Sequence, residues 1–530
     1  MVLKRYRKAI AIRQKQGNCQ EKSANPIVGF LKDNLWLILS VCGVAIVIFI
    51  FFAVAHPVVP YDNDDWRFLG QYRSPLPETD QWNPSRILPE ISIPLVGHFA
   101  AYLIYPLQGD YITSISIAIA FVLCLFTVIL FLSFYRLFLA LSSDKISALL
   151  TSFFVLSLYF VLFKTQSTGN QYFLGAYNKN TYFYYTVPNL LNSIMVCILM
   201  RYSVLGTRIS MDGLGKGTFI GLAIALYFAI FSMLFSLLSL AVYCFYEIIL
   251  NFIRRDRFYK ILPLLIIVGV IFIYAYFEAT GERAMSGVGG TTSYSIFSRE
   301  FFQQAMTGFM WFMAFVSHIN LPVVIIILAG IFFACVLLGL NMEKDKKSHL
   351  VRLGLISLLG FVSLLPALIA LSGRTAAWYV TLTHNTYSFF FYFMLLAGLC
   401  MLYISTKIKK RAVRLMVFIP ILFLFSMEAI DTSRPYNDQN TYEQFYYGYG
   451  ISTAKKIELI NGWIKEIKEA DRTGAESVTL RIPESSIPIW PIIEDETGIY
   501  MSQTLRAHNI ITRKFEIILQ PDRQLTEELW

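Results

Sequence analysis

Three aspartates stand within four residues in the segment Asp62-Asn63-Asp64-Asp65, which follows the first long apolar stretch of the chain. Such a cluster is costly beside a membrane, because neighbouring carboxylates repel one another and lose solvation near lipid. Repulsion raises the pKa of one member toward the working pH, where a carboxylate can accept a proton from an attacking hydroxyl. We therefore expect one of the three to be a general base, with the other two and Arg67 holding the reacting group.

Two other interpretations apply to the same residues. Asp62-Asn63-Asp64 is a D-x-D motif, which in soluble nucleotide-sugar enzymes holds a divalent metal against a diphosphate. Nucleotide sugars are cytoplasmic, whereas the charge distribution described below puts this motif outside, so we expect neither a metal ion nor a cofactor here. Asp62 also suits the N-cap position of a helix that begins after it.

The composition indicates which elements position the cluster. The chain has 530 residues, is 56% hydrophobic and has a mean hydropathy of +0.55, which is too apolar for a soluble protein. Apolar segments of spanning length recur along it, which predicts a polytopic helical protein in a lipid bilayer. The net charge of +10 does not indicate nucleic-acid binding, because the cations lie between apolar segments. The seven cysteines show no metal-type spacing.

The apolar segments predict about eleven transmembrane helices with the N-terminus inside. Two further segments, 91–107 and 301–319, contain interrupting polar residues, and we expect them to lie at the outer membrane face. The predicted spans are 36–55, 112–139, 146–163, 187–200, 218–232, 234–252, 261–277, 321–340, 353–371, 387–404 and 416–427.

The basic residues fix the predicted orientation. With these spans, the basic clusters in 4–32, 254–260, 344–352 and 407–414 all face the cytoplasm, as the positive-inside rule requires. The aspartate cluster then faces outward. We expect the plasma (inner) membrane, with the active site on the extracytoplasmic side.

Three regions follow from this layout. Residues 1–35 form a basic cytoplasmic N-terminus, and residues 36–429 form the transmembrane module, whose first outer loop, 56–111, carries the aspartates. Residues 430–530 lose the apolar runs and predict a small α/β domain outside the membrane. Within it, helical spacing covers 442–470 and alternation predicts a strand at 477–483.

An outward acidic pair after the first span, followed by Trp82-Asn83-Pro84-Ser85-Arg86, resembles the GT-C superfamily of membrane glycosyltransferases. The resemblance is closest to the bacterial branch of O-antigen glucosyltransferases, the serotype-conversion type, in which a tryptophan and Gly-Arg follow the acidic pair. It covers the first two spans, and the later part agrees only in general layout. Ser85 stands where that branch has glycine.

The resemblance implies an inverting sugar transfer from a polyprenyl-phosphate donor, undecaprenyl phosphate in a bacterium. The acceptor would be a cell-envelope glycan such as O-antigen or teichoic acid, and a partner synthase and flippase would supply the donor. Asp64 or Asp65 would be the base, with Asp64 slightly favoured. The implied substrate-binding residues are Asp62, Arg67, Trp82, Arg86, Arg374 and His384.

Simpler interpretations remain for some of these residues and for the whole chain. Arg86 and Arg374 suit phosphate binding, since arginine binds phosphate through two parallel hydrogen bonds, but either is equally explained as an interfacial anchor. A lipid-linked saccharide transporter, or flippase, would also be polytopic, with charged residues inside its spans, of which Glu247 is one. A polysaccharide polymerase would share the substrates but carry its large outer loops late in the series of spans.

Overall fold

The computed structural model describes residues 26–55, 57–60, 62–71, 86–162, 179–255, 258–280, 295, 298–316, 319, 321–340, 344–374, 386–408, 453–484 and 496–529. By internal packing the chain divides into two compact units, Met1–Val47 and Ile48–Trp530. The first unit contains most of helix α1. The second contains every element discussed below.

The described residues are mostly helical. Three π-helical segments, Phe51–Ala55, Ala100–Ile104 and Tyr182–Thr186, interrupt or extend the α-helices. The α-helices up to the middle of the chain are α1 Pro26–Ile50, α2 Asn63–Gly70, α3 Ile87–Phe99, α4 Tyr105–Gln108, α5 Tyr111–Ser142, α6 Lys145–Val161, α7 Lys179–Thr181, α8 Val187–Leu205, α9 Met211–Leu214, α10 Lys216–Ile230 and α11 Leu234–Ile253. The later elements are α12 Phe258–Thr280, α13 Arg299–Val316, α14 Leu321–Leu340, α15 Lys344–Arg374, α16 Thr386–Lys407, α17 Thr453–Thr473, β1 Ser477–Pro483, α18 Thr497–Ala507, β2 Glu516–Asp522 and α19 Arg523–Leu529.

Eight helices in the described part of the chain are long and apolar enough to cross a membrane, and the protein is a helical membrane protein. Seven of them coincide with predicted spans, and three more predicted spans coincide with shorter apolar helical segments, Lys145–Val161, Lys216–Ile230 and Leu321–Leu337. The predicted span 416–427 lies outside the described residues. The eighth helix, Ile87–Gln108, includes the segment that we placed at the outer face. The eleven-span count and its orientation remain predictions.

Aspartate caps and a tight turn set the ends of helices α5 and α6. Asp110 Oδ1 accepts a hydrogen bond from the backbone nitrogen of Thr113 at 2.8 Å, which starts α5. Asp144 caps α6 in the same way, through Ile146 at 3.1 Å. Between these helices Ser143 has φ 59°, and this left-handed residue turns the chain so that α5 and α6 pack side by side. Helix α8 packs on α5 and α11, and α16 packs on α6, α14 and α15.

The C-terminal part contains a two-stranded parallel sheet. Strand β1 covers residues 477–483, as predicted, and pairs with β2 with Leu480 opposite Leu519. Helix α17 precedes it, and the indole nitrogen of Trp463 donates to the backbone oxygen of Arg481 at 2.9 Å. The helix predicted over 442–470 is observed from Thr453, and its first residues lie outside the described part. The predicted boundary at residue 430 also lies outside the described part.

Candidate active site

Helix α2 carries the aspartate cluster. Asp62 precedes it in extended backbone conformation, φ −135° and ψ −177°, and its Oδ1 accepts a hydrogen bond from the backbone nitrogen of Asp65 at 2.8 Å. This is the N-cap interaction expected from the sequence. Helix α2 has eight residues, Asn63–Gly70, and two of the aspartates stand in its first turn. All three carboxylates therefore lie at the end of α2 where the helix dipole favours negative charge.

Asp65 is fully buried and held by the residues of α7. Its Oδ1 lies 3.4 Å from the ammonium nitrogen of Lys179, whose side chain is also buried, and the same ammonium donates to the backbone oxygen of Asp65. The backbone nitrogens of Lys179 and Asn180 donate to Oδ2 and Oδ1 at 3.3 Å and 3.1 Å. Asp65 thus joins the start of α2 to the chain segment that enters α8. A carboxylate held in this way is positioned to support the site rather than to accept a proton.

Loss of solvation shifts the pKa values of Asp62 and Lys179 in opposite directions. Loss of solvation, followed by the negative charge of Asp65, raises the pKa of Asp62 to about 8, and the positive charge of Lys179 opposes this shift. Loss of solvation also lowers the pKa of Lys179, while the carboxylates of Asp65 and Asp62 oppose that change. Lys179 and Asp65 form the buried ion pair of the cluster. Asp62 is mainly protonated at neutral pH and acts as a neutral cap.

Asp64 is the exposed member of the cluster, and within the described residues no hydrogen bond or ion pair engages its carboxylate. Half-buried Arg67, on the same helix, places its guanidinium 5.3 Å from the ring centre of Tyr500 in α18. The pKa of Tyr500 is raised, first by its hydrogen bond to Glu496 and then by loss of solvation; Arg67 lowers it and Asp64 raises it. A carboxylate, a guanidinium and a phenol thus share one solvent-accessible site, which suits a proton acceptor beside an anionic substrate group.

Helix α18 packs directly on α2 and holds its backbone. The hydroxyl of Thr504 donates to the backbone oxygen of Trp66 at 2.6 Å, and Gln503 hydrogen-bonds Gln71 just beyond the helix. Gly70 permits this close approach, because a Cβ atom at that position would lie 2.6 Å from the Cα of Thr504. The C-terminal part of the chain therefore fixes the orientation of the helix that carries the aspartates.

A buried histidine completes this contact. His508 donates from Nε2 to the backbone oxygen of Leu69 at 3.1 Å, which leaves Nδ1 to accept from the hydroxyl of Tyr111 at 2.5 Å. Loss of solvation, together with the nearby ring of His98, lowers the pKa of His508 to about 3. The imidazole is therefore neutral at physiological pH. It connects the end of α2 to the start of α5.

Arg86 stands at the N-cap of α3, which packs against α2. Its φ of 62° and ψ of 25° place it in the left-handed region, which is uncommon for a residue with a side chain. Strain of this kind costs about 1–2 kcal/mol and persists only where the surroundings impose it. Its side chain is half-buried, and the helix that it begins, α3, packs on the helix that carries the aspartates.

The structure brings some of the candidate site residues together and does not bring the others to the same place. It brings Asp62, Asp64, Asp65 and Arg67 together on one helix, with Arg86 beginning the adjacent helix. Arg374 is the last residue of α15. Trp82 and His384 lie outside the described residues. The catalytic and binding roles of all these residues remain predictions.

Three functional candidates were not predicted from the sequence. The only signal for Lys179 in the sequence is its place in a predicted outer loop, where cations are few, on the predicted side of the aspartates. Tyr500 and His508 carried no signal, because their contacts with residues 67 and 69 join parts of the chain more than 400 residues apart.

Among the described residues, no group of three or more His, Cys, Asp or Glu side chains is arranged to hold a metal ion. The chain matches no protein-family model, and it matches no curated protein.

Proposed function

We propose that this chain is an inverting membrane glycosyltransferase that moves one sugar from a polyprenyl-phosphate donor to an extracytoplasmic cell-envelope glycan. The main support is the different environment of each of three aspartates at the start of one helix. Asp65 is locked in a buried ion pair, Asp62 caps the helix, and Asp64 alone is exposed. This leaves one carboxylate accessible to an acceptor hydroxyl.

In the proposed reaction the acceptor hydroxyl attacks the anomeric carbon of the donor sugar from the face opposite the phosphate. A new carbon–oxygen bond forms, the bond from that carbon to the phosphate oxygen breaks, and the configuration inverts. Asp64 accepts the hydroxyl proton and later releases it to solvent, to which its side chain is exposed. The bonding electrons leave with the polyprenyl phosphate.

The leaving phosphate gains negative charge, so cations should stabilise it. Arg67 is the described cation nearest to the base along the chain, three residues from Asp64 on the same helix, and its stacking on Tyr500 orients the guanidinium. Arg86 and Arg374 are further candidates for this role. No divalent cation is required, because a monophosphate leaving group carries less charge than a diphosphate.

The proposal includes the predicted orientation: about eleven spans, the N-terminus inside, and the aspartate helix and C-terminal domain outside. The contacts of α18 with α2 support a common side for the aspartate helix and the C-terminal domain, because elements in contact lie on the same side of the membrane.

The test measures sugar transfer by purified protein, using a panel of radiolabelled polyprenyl-phosphate sugars and envelope glycan acceptors. Asp64→Asn should lower turnover at least about 100-fold while donor binding stays within about twofold, because the loss is confined to proton transfer. Asp212→Asn is the matched control, since Asp212 is also an exposed aspartate in the first turn of a helix. Full turnover by Asp64→Asn would contradict the assignment of the base.

A lipid-linked saccharide transporter is the second candidate, and one observation favours it. Glu247 and Arg352 form a buried ion pair between two membrane-length helices, where charged groups usually mark transport pathways. The same donor panel separates the two functions. Donor binding and movement across proteoliposomes, without transfer to any acceptor, would favour the transporter.

A further inference from the structure

A cavity lies at the end of α8 that is remote from the aspartates. It has a volume of about 70 Å³, is open to solvent, and is bounded by α8, the turn after it, α11, α12 and α15. The polar lining used in the following argument consists of Ser203, Arg208, Glu247, Tyr259, Lys260 and Arg352.

This cavity is separate from the candidate active site. The helical segment Tyr182–Leu205 begins three residues after Lys179, the partner of Asp65, and ends at the cavity. A helix of 24 residues extends about 36 Å at 1.5 Å per residue, which is the thickness of a bilayer. The cavity therefore opens on the side for which the basic loops predict the cytoplasm.

Two buried polar atoms of the cavity lining have no hydrogen-bond partner among the described residues. Glu247 accepts hydrogen bonds from Ser203 at 2.7 Å, from Asn251 at 3.3 Å and from Arg352, and all of them use the same oxygen, Oε1. Its other oxygen, Oε2, and the Nε of Arg352 have no hydrogen-bond partner in the described part of the chain, and both side chains are more than nine-tenths buried. A buried polar atom without a partner is costly, so these atoms indicate a ligand that both donates and accepts.

The charged residues of the cavity lining indicate the charge of that ligand. Arg208, Lys260 and Arg352 outnumber the single carboxylate of Glu247. Exposed Arg208 has its guanidinium 5.3 Å from the ring centre of Tyr259, which holds it at the cavity. An anion thus suits the cavity, and phosphate suits arginine in particular.

We propose that the cavity binds a phosphate ester that also carries a free hydroxyl, as the headgroups of anionic glycerophospholipids do. The phosphate accepts from Arg208, Lys260 and the Nε of Arg352, and the hydroxyl donates to Oε2 of Glu247. The cavity lies at the ends of four membrane-length helices, α8, α11, α12 and α15, which is the level of lipid headgroups. This favours a lipid over a soluble phosphate ester.

The test is native mass spectrometry of the delipidated full chain titrated with phosphatidylglycerol. Arg208→Ala/Lys260→Ala removes two cations without touching the buried ion pair, and we expect binding to weaken roughly tenfold or more. Arg254→Ala is the matched control, because Arg254 is an exposed cation of the same region outside the cavity lining, and it should change binding by less than about twofold. Equal binding by the double variant, or an equal loss with the control, would overturn the proposal.

Two further binding measurements use the wild-type protein, so they do not depend on the folding of a variant. Phosphatidylmethanol has the same phosphodiester charge but no hydroxyl, and we expect it to bind more weakly than phosphatidylglycerol. Equal affinity would overturn the contact with Glu247. Glycerol 3-phosphate should not displace the lipid at a similar concentration; displacement would support the same cavity chemistry with a soluble ligand and overturn the lipid source.

Discussion

Asp62, Asp64 and Asp65 have the same side chain, yet their surroundings give each a different chemistry. Asp65 faces Lys179 in a buried pocket, Asp62 accepts a backbone hydrogen bond, and Asp64 meets water. The crowding of acids was readable in the sequence, as was the cap. The division of roles was not, because it depends on a lysine 114 residues away along the chain.

The Asp65–Lys179 ion pair should contribute strongly to stability. Asp65→Asn or Lys179→Met alone leaves one buried charge without its partner, and each should lower the free energy of unfolding by about 3–5 kcal/mol. The double variant should lose much less than the sum of the two single losses. The midpoint of thermal unfolding in detergent measures this. The exposed pair of Arg523 and Glu527 is the control, and its removal should change the midpoint little.

Independent, additive losses in that cycle would show that Lys179 does not stabilise the carboxylate. In that case Asp65 would again be a candidate base, and the assignment of Asp64 would lose its main support.

The raised pKa of Asp62 predicts a pH-dependent stability. Between its ordinary value of 3.8 and about 8, the folded chain keeps a proton that the unfolded chain releases. The contribution of Asp62 to stability therefore falls as the pH rises through this window. Asn caps a helix as well as Asp but does not ionise. Asp62→Asn should thus gain stability over the wild type as the pH rises from about 4 to about 8.

Thermal unfolding midpoints at several pH values measure this effect. Asp62→Ala should follow the same pH trend at about 1 kcal/mol lower stability, because it lacks the cap. A difference between Asp62→Asn and the wild type that stays constant with pH would contradict the shifted pKa.

At the level of elements, local patterns predicted the parts that local interactions form. The alternation of Ser477–Pro483 predicted β1 with its observed ends, and ten of the eleven predicted spans, seven long and three shorter, are helices. The packing of α18 on α2 was not predictable. Thr504 and Trp66 are 438 residues apart, and nothing in the spacing of either residue indicates the other.

The contact between α2 and α18 should be sensitive to side-chain volume. A Cβ atom at Gly70 would lie 2.6 Å from the Cα of Thr504, so Gly70→Ala should push the helices apart and cost about 1–3 kcal/mol. Because Asp64 and Tyr500 belong to these helices, sugar transfer should fall as well. Gly221→Ala is the control: its position in α10 has open space, so alanine should stabilise the helix by about 0.5–1 kcal/mol.

Unfolding midpoints and transfer rates of the two variants give the comparison. If Gly70→Ala behaves like Gly221→Ala in both measurements, then α18 does not hold α2 at the observed distance.

At the scale of the whole molecule, the C-terminal part contacts several points on one side of the helices. Asn461 donates to Asp110 at 2.6 Å, Lys468 to the hydroxyl of Tyr105 at 2.9 Å, and Tyr102 to the backbone oxygen of Ala507 at 3.0 Å. The partners from α17 and α18 belong to polar, charged helices that lipid would not solvate. We therefore expect the second half of Ile87–Gln108 to lie along the outer face, beneath the C-terminal part.

Labelling of single cysteines in intact cells tests this arrangement and the orientation together. In a cysteine-free background, Asp64→Cys and Gln108→Cys should react with a membrane-impermeant maleimide, since both positions are exposed. Arg254→Cys is exposed as well, but five predicted spans separate it from Gln108, so it should lie on the opposite side of the membrane and react only after permeabilisation. Labelling of Gln108→Cys only after permeabilisation would mean that Ile87–Gln108 crosses the membrane. If Asp64→Cys also reacted only after permeabilisation, the aspartates would face the cytoplasm, and a nucleotide-sugar donor would replace the polyprenyl phosphate.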